Sequence, residues 1–232
     1  MNKIFASAIK KHQENNLEAA KDLYEKVLQQ DPNHAEAHNN LGIIFEQLGQ
    51  SKKSINYFKK AIEINSNYAD AYYNLGKTFD GLNEKQKAID CYEQAIRINP
   101  KHADVQNNLG VIFKEKGEYQ KAIKCYEKAI QIDPNYVNAY NNLGTILGEL
   151  NRTSEAKKNF EKSLNLEPNK KKTFEGYGNI LLKLNQHSKA LEYIKKGTGF
   201  IRFTQKNFTN FMKNINLKLL KYIIDQSLFF IY

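Results

Sequence analysis

The chain has 232 residues, of which 41% are hydrophobic and 26% charged, values typical of a folded protein rather than a disordered one. The formal net charge is +10, and most of it comes from residues 171–232, which hold eleven Lys and Arg against three Asp and Glu. No apolar run is long enough for a membrane span, and the N-terminus lacks a signal-peptide pattern, so we expect a cytoplasmic protein. Two cysteines, Cys91 and Cys125, are too few for a disulfide framework.

A repeat of 34 residues runs along the chain. Asn-Asn-Leu-Gly stands at residues 39–42, 107–110 and 141–144, and Tyr-Asn-Leu-Gly at 73–76. The prolines keep the same period, which indicates an array of repeated units rather than an ordinary globular domain. We predict six units: 1–34, 35–68, 69–102, 103–136, 137–170 and 171–204.

Each unit is predicted to form a helical hairpin, as the third unit shows best. Its first half places Tyr72, Leu75, Gly76 and Phe79 on one helical face, and its second half does so with Ala88, Tyr92 and Ala95. Asn83 lies between the two halves, and asparagine tolerates the left-handed conformation that ends a helix. Gly76 removes a side chain where the two helices approach, and Ala88 is expected to face it.

These residues resemble the tetratricopeptide repeat (TPR), whose pattern is an aromatic, Leu-Gly, an aromatic, then Ala, an aromatic, Ala and Pro. Residues 35–168 follow it in four consecutive copies, whereas the first and sixth units match in part. The resemblance implies an all-α, right-handed superhelical solenoid of about six hairpins, with an irregular or helical tail at 205–232 and no sheet.

The resemblance also places one stripe of each first helix in the concave groove of the array. The second asparagine of each Asn-Leu-Gly stretch lies on that stripe, and an amide can donate to and accept from a peptide backbone. The TPR arm of O-linked GlcNAc transferase is similar, since its groove asparagines grip peptides this way. The predicted peptide-binding ladder is Asn40, Asn74, Asn108 and Asn142, whereas Asn39, Asn107 and Asn141 are expected at its rim.

The stripe is also charged. It carries Glu36, Asp70, Lys77, Asp104, Glu115 and Glu149, so its formal charge is −4. A neutral or basic protein segment is therefore the expected ligand. Acidic residues in a first helical turn also favour the helix dipole, and a repeated asparagine can be inherited consensus, so both explanations remain open.

The leading functional prediction is a non-catalytic scaffold that binds an extended protein segment. The alternative is the substrate-recruiting arm of a truncated glycosyltransferase, sulfotransferase or 2-oxoglutarate oxygenase, and a nucleic-acid binder is a weaker third. No catalytic motif, metal site, cofactor or small-molecule substrate is predicted, and His34 and His38 are expected to pack rather than bind metal. The apolar, basic tail could cap the array, begin a further domain, or contact a membrane or another subunit.

Overall fold

The computed structural model describes residues 2–198, 201–203 and 229–231. Twelve helices and two short strands occupy this part of the chain. The helices are α1 (Asn2–Gln13), α2 (Leu17–Gln30), α3 (Ala35–Gln47), α4 (Ser51–Ile64), α5 (Ala69–Gly81), α6 (Lys85–Ile98), α7 (Ala103–Glu115), α8 (Tyr119–Ile132), α9 (Val137–Glu149), α10 (Thr153–Leu166), α11 (Lys171–Lys183) and α12 (His187–Thr198). The strands are β1 (Ile201–Phe203) and β2 (Phe229–Ile231).

The helices fall into two compact units, residues 1–112 and 113–232. Within the first unit each of α1 to α5 packs against the next helix, and α3 also contacts α5. Within the second unit α8 to α12 pack in the same consecutive way, and α9 also contacts α11. Neighbouring first helices of successive repeats therefore meet inside each unit, and the predicted all-α hairpin architecture is confirmed.

The hairpins close over small residues, as expected, but their partners differ from the prediction. A β-carbon on Gly76 would lie 2.6 Å from Cε1 of Tyr92, and one on Gly42 would lie 2.5 Å from Cε1 of Phe58. The second-helix aromatic thus covers the glycine, and the nearest atoms belong to Tyr92 and Cys91 rather than to Ala88. The glycine makes room for a ring, which explains why a ring recurs at that second-helix position.

The turns between paired helices use left-handed residues. Asn83, Asn151 and Asn185 have φ near 60°, and Gly49 and Gly117 have φ of 70° and 75°. Only glycine and asparagine adopt this conformation readily, so the residue types at these turns follow from the backbone geometry. The predicted helix ends are confirmed.

The C-terminal segment departs from the predicted absence of a sheet. β1 and β2 pair in parallel, with Ile201 opposite Phe229 and Phe203 opposite Ile231. β-branched and aromatic residues favour extended backbone, and they dominate both three-residue strands. The irregular or helical tail predicted at 205–232 lies outside the described residues, except for β2. No helix in the described part is both long and apolar enough to cross a bilayer.

Candidate functional site

Side chains of neighbouring first helices meet at a sequence separation of 35 residues. His12 Nε2 lies 3.3 Å from Gln47 Oε1, and Asn74 Nδ2 donates to Asn39 Oδ1 over 3.1 Å, both in the first unit. In the second unit Lys114 Nζ lies 2.7 Å from Glu149 Oε1. These contacts join the helices that carry the predicted peptide-binding stripe, so each unit presents a continuous first-helix surface.

The ladder asparagines are half-buried, and internal hydrogen bonds orient them. Asn40 Nδ2 donates to the Tyr24 hydroxyl over 3.2 Å, and Asn40 Oδ1 accepts from Asn39 Nδ2 over 3.4 Å. Asn74 Nδ2 donates to Asn39 as described above. An amide has two N–H groups and two acceptor lone pairs, so Asn40 and Asn74 keep further capacity for a ligand.

Asn108 faces two tyrosine hydroxyls of the first unit. Its amide lies beside Tyr73 and Tyr92 and lowers the pKa of each, although burial is the larger effect and leaves both pKa values raised. The Tyr92 hydroxyl has no partner with full hydrogen-bond geometry among the described residues. Asn108 Oδ1 also accepts from Asn107 Nδ2 over 3.2 Å. Asn108 is therefore held in place in the same way as Asn40.

The first asparagine of each Asn-Asn pair does not lie at the rim. Asn39, Asn107 and Asn141 are 4%, 6% and 2% exposed. Asn39 bridges α3 and α5 by accepting from Asn74. The rim prediction was wrong because a helical wheel shows one helix only, whereas in the folded protein α5 contacts Asn39.

The charged residues of the stripe are exposed but differ in their partners. Asp70 is 3.8 Å from His102 Nε2, and Lys77 Nζ lies 5.7 Å above the Tyr73 ring. Asp104 and Glu115 are exposed. Glu149 is paired with Lys114, a residue outside the predicted stripe. The negative charge of the stripe is therefore lower than its formal count.

A cleft of about 370 Å³ opens on the first-helix surface of the first unit. We call it the first-unit cleft. Its lining includes the ladder residue Asn40 and the aromatic floor residue Tyr24. The full lining is Ile9, His12, Gln13, Tyr24, Asn40 and Ile43.

A cleft at equivalent repeat positions, of about 220 Å³, opens in the second unit between α9 and α11. We call it the second-unit cleft. Its lining includes Gly144, Gly148, Gly176, Phe160, Ile180 and Lys183. Gly176 stands where other repeats place a ladder asparagine, and a β-carbon there would lie 2.7 Å from Cε1 of Phe160. The Phe160 ring therefore lies closer to the Gly176 backbone than a side chain at that position would allow.

The helix α11 changes the charge of the stripe in the last repeat. Lys172 and Lys183 stand 68 residues after Asp104 and Glu115, two repeat periods along the chain. Lys183 Nζ donates to the Gly148 carbonyl over 2.6 Å and to Asn151 Oδ1 over 3.2 Å. Neither lysine has a carboxylate within 4 Å among the described residues. Continuing the 34-residue alignment through residue 183 would have revealed this reversal.

The remaining chemistry-bearing side chains serve packing. Cys91 and Cys125 are both 9% exposed, and burial raises the pKa of each thiol to about 11. His34 Nδ1 accepts from the Ala37 amide over 3.3 Å, and its ring lies 4.6 Å from that of Phe5. Among the described residues no cluster of three metal-ligand side chains occurs.

Known protein families match the sequence in agreement with this architecture. Models of the tetratricopeptide repeat match residues 35–68, 69–102, 91–124 and 137–170, and models described as TPR repeat match 10–49 and 112–151. No curated protein matches the sequence significantly. The chain belongs to the tetratricopeptide repeat family, and its fold is an all-α TPR solenoid.

Solved TPR structures resemble the chain over most of its length. MamA is 35% identical, with a TM-score of 0.62 over 69% of this chain and 94% of MamA. PilF of Pseudomonas aeruginosa is 27% identical, with a TM-score of 0.66 over 71% of this chain and 75% of PilF. YrrB, described as a TPR protein with an unusual peptide-binding site, is 21% identical, with a TM-score of 0.62 over 76% of this chain and 91% of YrrB.

Proposed function

We propose that this protein is a non-catalytic interaction scaffold that binds an extended protein segment on its first-helix surface. The observation behind the proposal is the set of half-buried ladder amides, three of which lie in the first unit. Internal hydrogen bonds fix their orientation before any ligand arrives. A group that is already ordered loses less conformational entropy on binding, so these amides are suited to recognition.

An extended backbone is the ligand that fits these amides best. Each peptide group of such a segment offers one donor and one acceptor, which an asparagine side chain complements. Recognition through the backbone makes little demand on sequence, and a strand-like ligand repeats its groups regularly. YrrB shares the fold and has a peptide-binding site, so the fold is compatible with this role.

The first-unit stripe favours a basic or neutral segment. Asp70 and Asp104 are exposed there, and Lys77 is the cation on the same stripe. Charges of this kind act mainly on specificity and association rate, and salt screens them. The preference for a basic segment in this unit should therefore weaken as the salt concentration rises.

The test is a binding measurement with a segment captured by the full-length protein and mapped by mass spectrometry. Replacing Asn74 with alanine removes a ladder amide but also the internal bond to Asn39. Asn39→Ala is the matched control, because it removes the same internal bond from the buried side. We expect Asn74→Ala to weaken binding about three- to tenfold more than Asn39→Ala, the value of a direct hydrogen bond to the ligand.

Two results would contradict the proposal. One is equal affinity of the Asn74→Ala and Asn39→Ala proteins, which would mean that the amide acts on packing alone. The other is a bound segment that protects second-helix surfaces rather than first-helix surfaces from hydrogen exchange. Either result would indicate that the ladder asparagines are inherited packing residues.

A further inference from the structure

We propose that the second-unit cleft is a socket for one aromatic side chain of a partner segment that carries acidic residues on both sides of it. The inference rests on the proposed function and adds the partner's chemistry in the second unit. This partner segment is acidic, whereas the ligand expected for the first-unit stripe is neutral or basic. Three observations support the inference: the shape of the cleft, the composition of its walls, and the charges of two lysines on α11.

The shape fits a ring. An apolar cavity of about 150 Å³ in another protein is large enough to bind benzene, and this cleft measures about 220 Å³. Gly176 and Gly148 line it without side chains, and Gly176 stands where other repeats place an asparagine. The cleft is open on one side, so a side chain can enter from solvent.

The walls are suited to an aromatic group. Phe160 forms the floor and Ile180 one wall, while Thr145 and Asn179 stand at the sides. The Thr145 hydroxyl already donates to the Asn141 carbonyl over 2.8 Å, so a ligand need not supply a hydrogen-bond acceptor for it. Aromatic rings pack favourably against one another in offset-stacked or edge-to-face arrangements, and the Phe160 ring offers a surface for such packing.

Two lysines of α11 favour acidic residues on either side of the ligand's aromatic side chain. Lys172, Gly176 and Lys183 share one face of α11, because they are four and seven residues apart. Lys183 lines the cleft, and Lys172 lies one helical turn before Gly176 on the same face of α11. Neither lysine has a carboxylate within 4 Å among the described residues. Glu149 also lines the cleft, but Lys114 pairs with it over 2.7 Å. Glu175 points about 100° away from Gly176 around the helix, so it does not face the ligand.

The spacing of the lysines sets the spacing of the acids. Eleven residues of α-helix separate Lys172 from Lys183, roughly 16 Å along the axis. An extended segment covers roughly 3.3 Å per residue. A carboxylate two residues before and another two residues after the aromatic therefore come within reach of the flexible lysine side chains.

The probe is the capped pentapeptide acetyl-Asp-Ala-Phe-Ala-Asp-amide, titrated into the full-length protein to about 10 mM, a range that detects a Kd near 1 mM. The readout is the methyl NMR signal of Ile180, assigned with an Ile180→Val variant. We expect a saturable ring-current shift of that signal. Replacing the peptide's Phe with Ala should abolish the shift, and replacing both Asp with Lys should weaken binding about fivefold or more.

Variants of the protein test the two features separately. Thr145→Leu fills the cleft at a partly exposed position and should remove binding, with circular dichroism confirming an unchanged fold. Lys172→Glu combined with Lys183→Glu should weaken binding about five- to tenfold. Lys162→Glu, an exposed position on α10 outside the cleft, is the matched charge control and should change little.

Two outcomes overturn the socket. One is the absence of an Ile180 shift up to the highest concentration. The other is a shift that Thr145→Leu leaves intact or that the Lys peptide produces equally well. Shifts confined to first-unit signals would reject the socket while leaving the proposed scaffold function standing, and the Asn74→Ala comparison tests that function independently.

Discussion

The junction between α3 and α5 and the junction between α9 and α11 occupy equivalent places in the two units but are built differently. In the first, Asn74 reaches Asn39, and Thr78 Oγ1 donates to Glu46 Oε2 over 2.8 Å. In the second, Gly176 and Gly148 line a cleft, and Lys183 at its end donates to the Gly148 carbonyl. One repeat pattern can therefore produce a junction bridged by polar side chains or a junction with an open cleft.

The largest expected effect contrasts two glycines. Gly76→Leu should lower the free energy of unfolding by about 3 kcal/mol, because even its β-carbon would meet the buried Tyr92 ring at 2.6 Å. Gly148→Ala should change it by less than about 1 kcal/mol, since the new methyl meets only the end of the Ile180 side chain. Urea denaturation measures both. A tolerated Gly76→Leu would show that the hairpin is not closed against this glycine.

The second effect measures the polar junction. Asn74→Ala should cost about 1–2 kcal/mol, because it leaves the buried Asn39 Oδ1 without its partner. A double-mutant cycle with Asn39→Ala should give a coupling of about 0.5–1.5 kcal/mol. A coupling of zero would show that the hydrogen bond between Asn39 and Asn74 does not stabilise the fold. The better helix propensity of alanine does not compensate for a lost buried partner.

A third, smaller effect concerns the aromatic residue at the floor of each cleft, Tyr24 in the first unit and Phe160 in the second. Tyr24→Phe should lower stability by about 1 kcal/mol, because it removes the acceptor for Asn40 Nδ2. The reciprocal change Phe160→Tyr in the second unit should bring no gain, since Gly176 offers no amide to the new hydroxyl. Thermal denaturation of both variants tests this asymmetry. A stabilising Phe160→Tyr would mean that another polar group already faces the second-unit cleft.

The smallest expected difference lies in the second helices, where the two units agree. Cys91 and Cys125 have equal exposure, and the pKa of each thiol is raised to about 11 by burial. A raised pKa means less thiolate at neutral pH, so both should react with iodoacetamide about 100-fold more slowly in the folded chain than in the unfolded one. Mass spectrometry of Cys91→Ser and Cys125→Ser proteins resolves the two rates. Unequal rates would show that the second helices also differ between units.

The same thiols give a pH expectation. Their folded-state pKa exceeds the ordinary thiol pKa of 9.0, so the unfolded chain releases these protons first as the pH rises. Their contribution to stability is complete below about pH 9 and is lost between about pH 9 and 11. Denaturation of the double Cys→Ser protein across that range should show a shallower decline. An identical decline would assign the alkaline loss to other groups, such as Tyr68, whose pKa burial raises to about 12.

The sequence predicted the hairpins and the left-handed turns, because each depends on periodicity within one chain segment. It misplaced Asn39, because that side chain is covered by α5, a neighbour that a wheel of α3 does not show. It also missed the pairing of Lys114 with Glu149, which are 35 residues apart on successive first helices. Gly176 is visible in the sequence as an interruption of the run of ladder asparagines, but the cleft beside it is not, because it depends on how α9 and α11 pack.

The open second-unit junction also bears on how the array comes apart. In a stack of repeats, stability is nearly a sum of single-repeat terms and nearest-neighbour terms, so unfolding begins where a neighbour term is smallest. The cleft between α9 and α11 forfeits dispersion contacts at this junction. The hairpin of α11 and α12 should therefore detach as a subglobal opening, and its amides should exchange hydrogen before those of α3 to α6. A ligand bound in the cleft would contact both α9 and α11, and it would therefore stabilise the last hairpin against this opening.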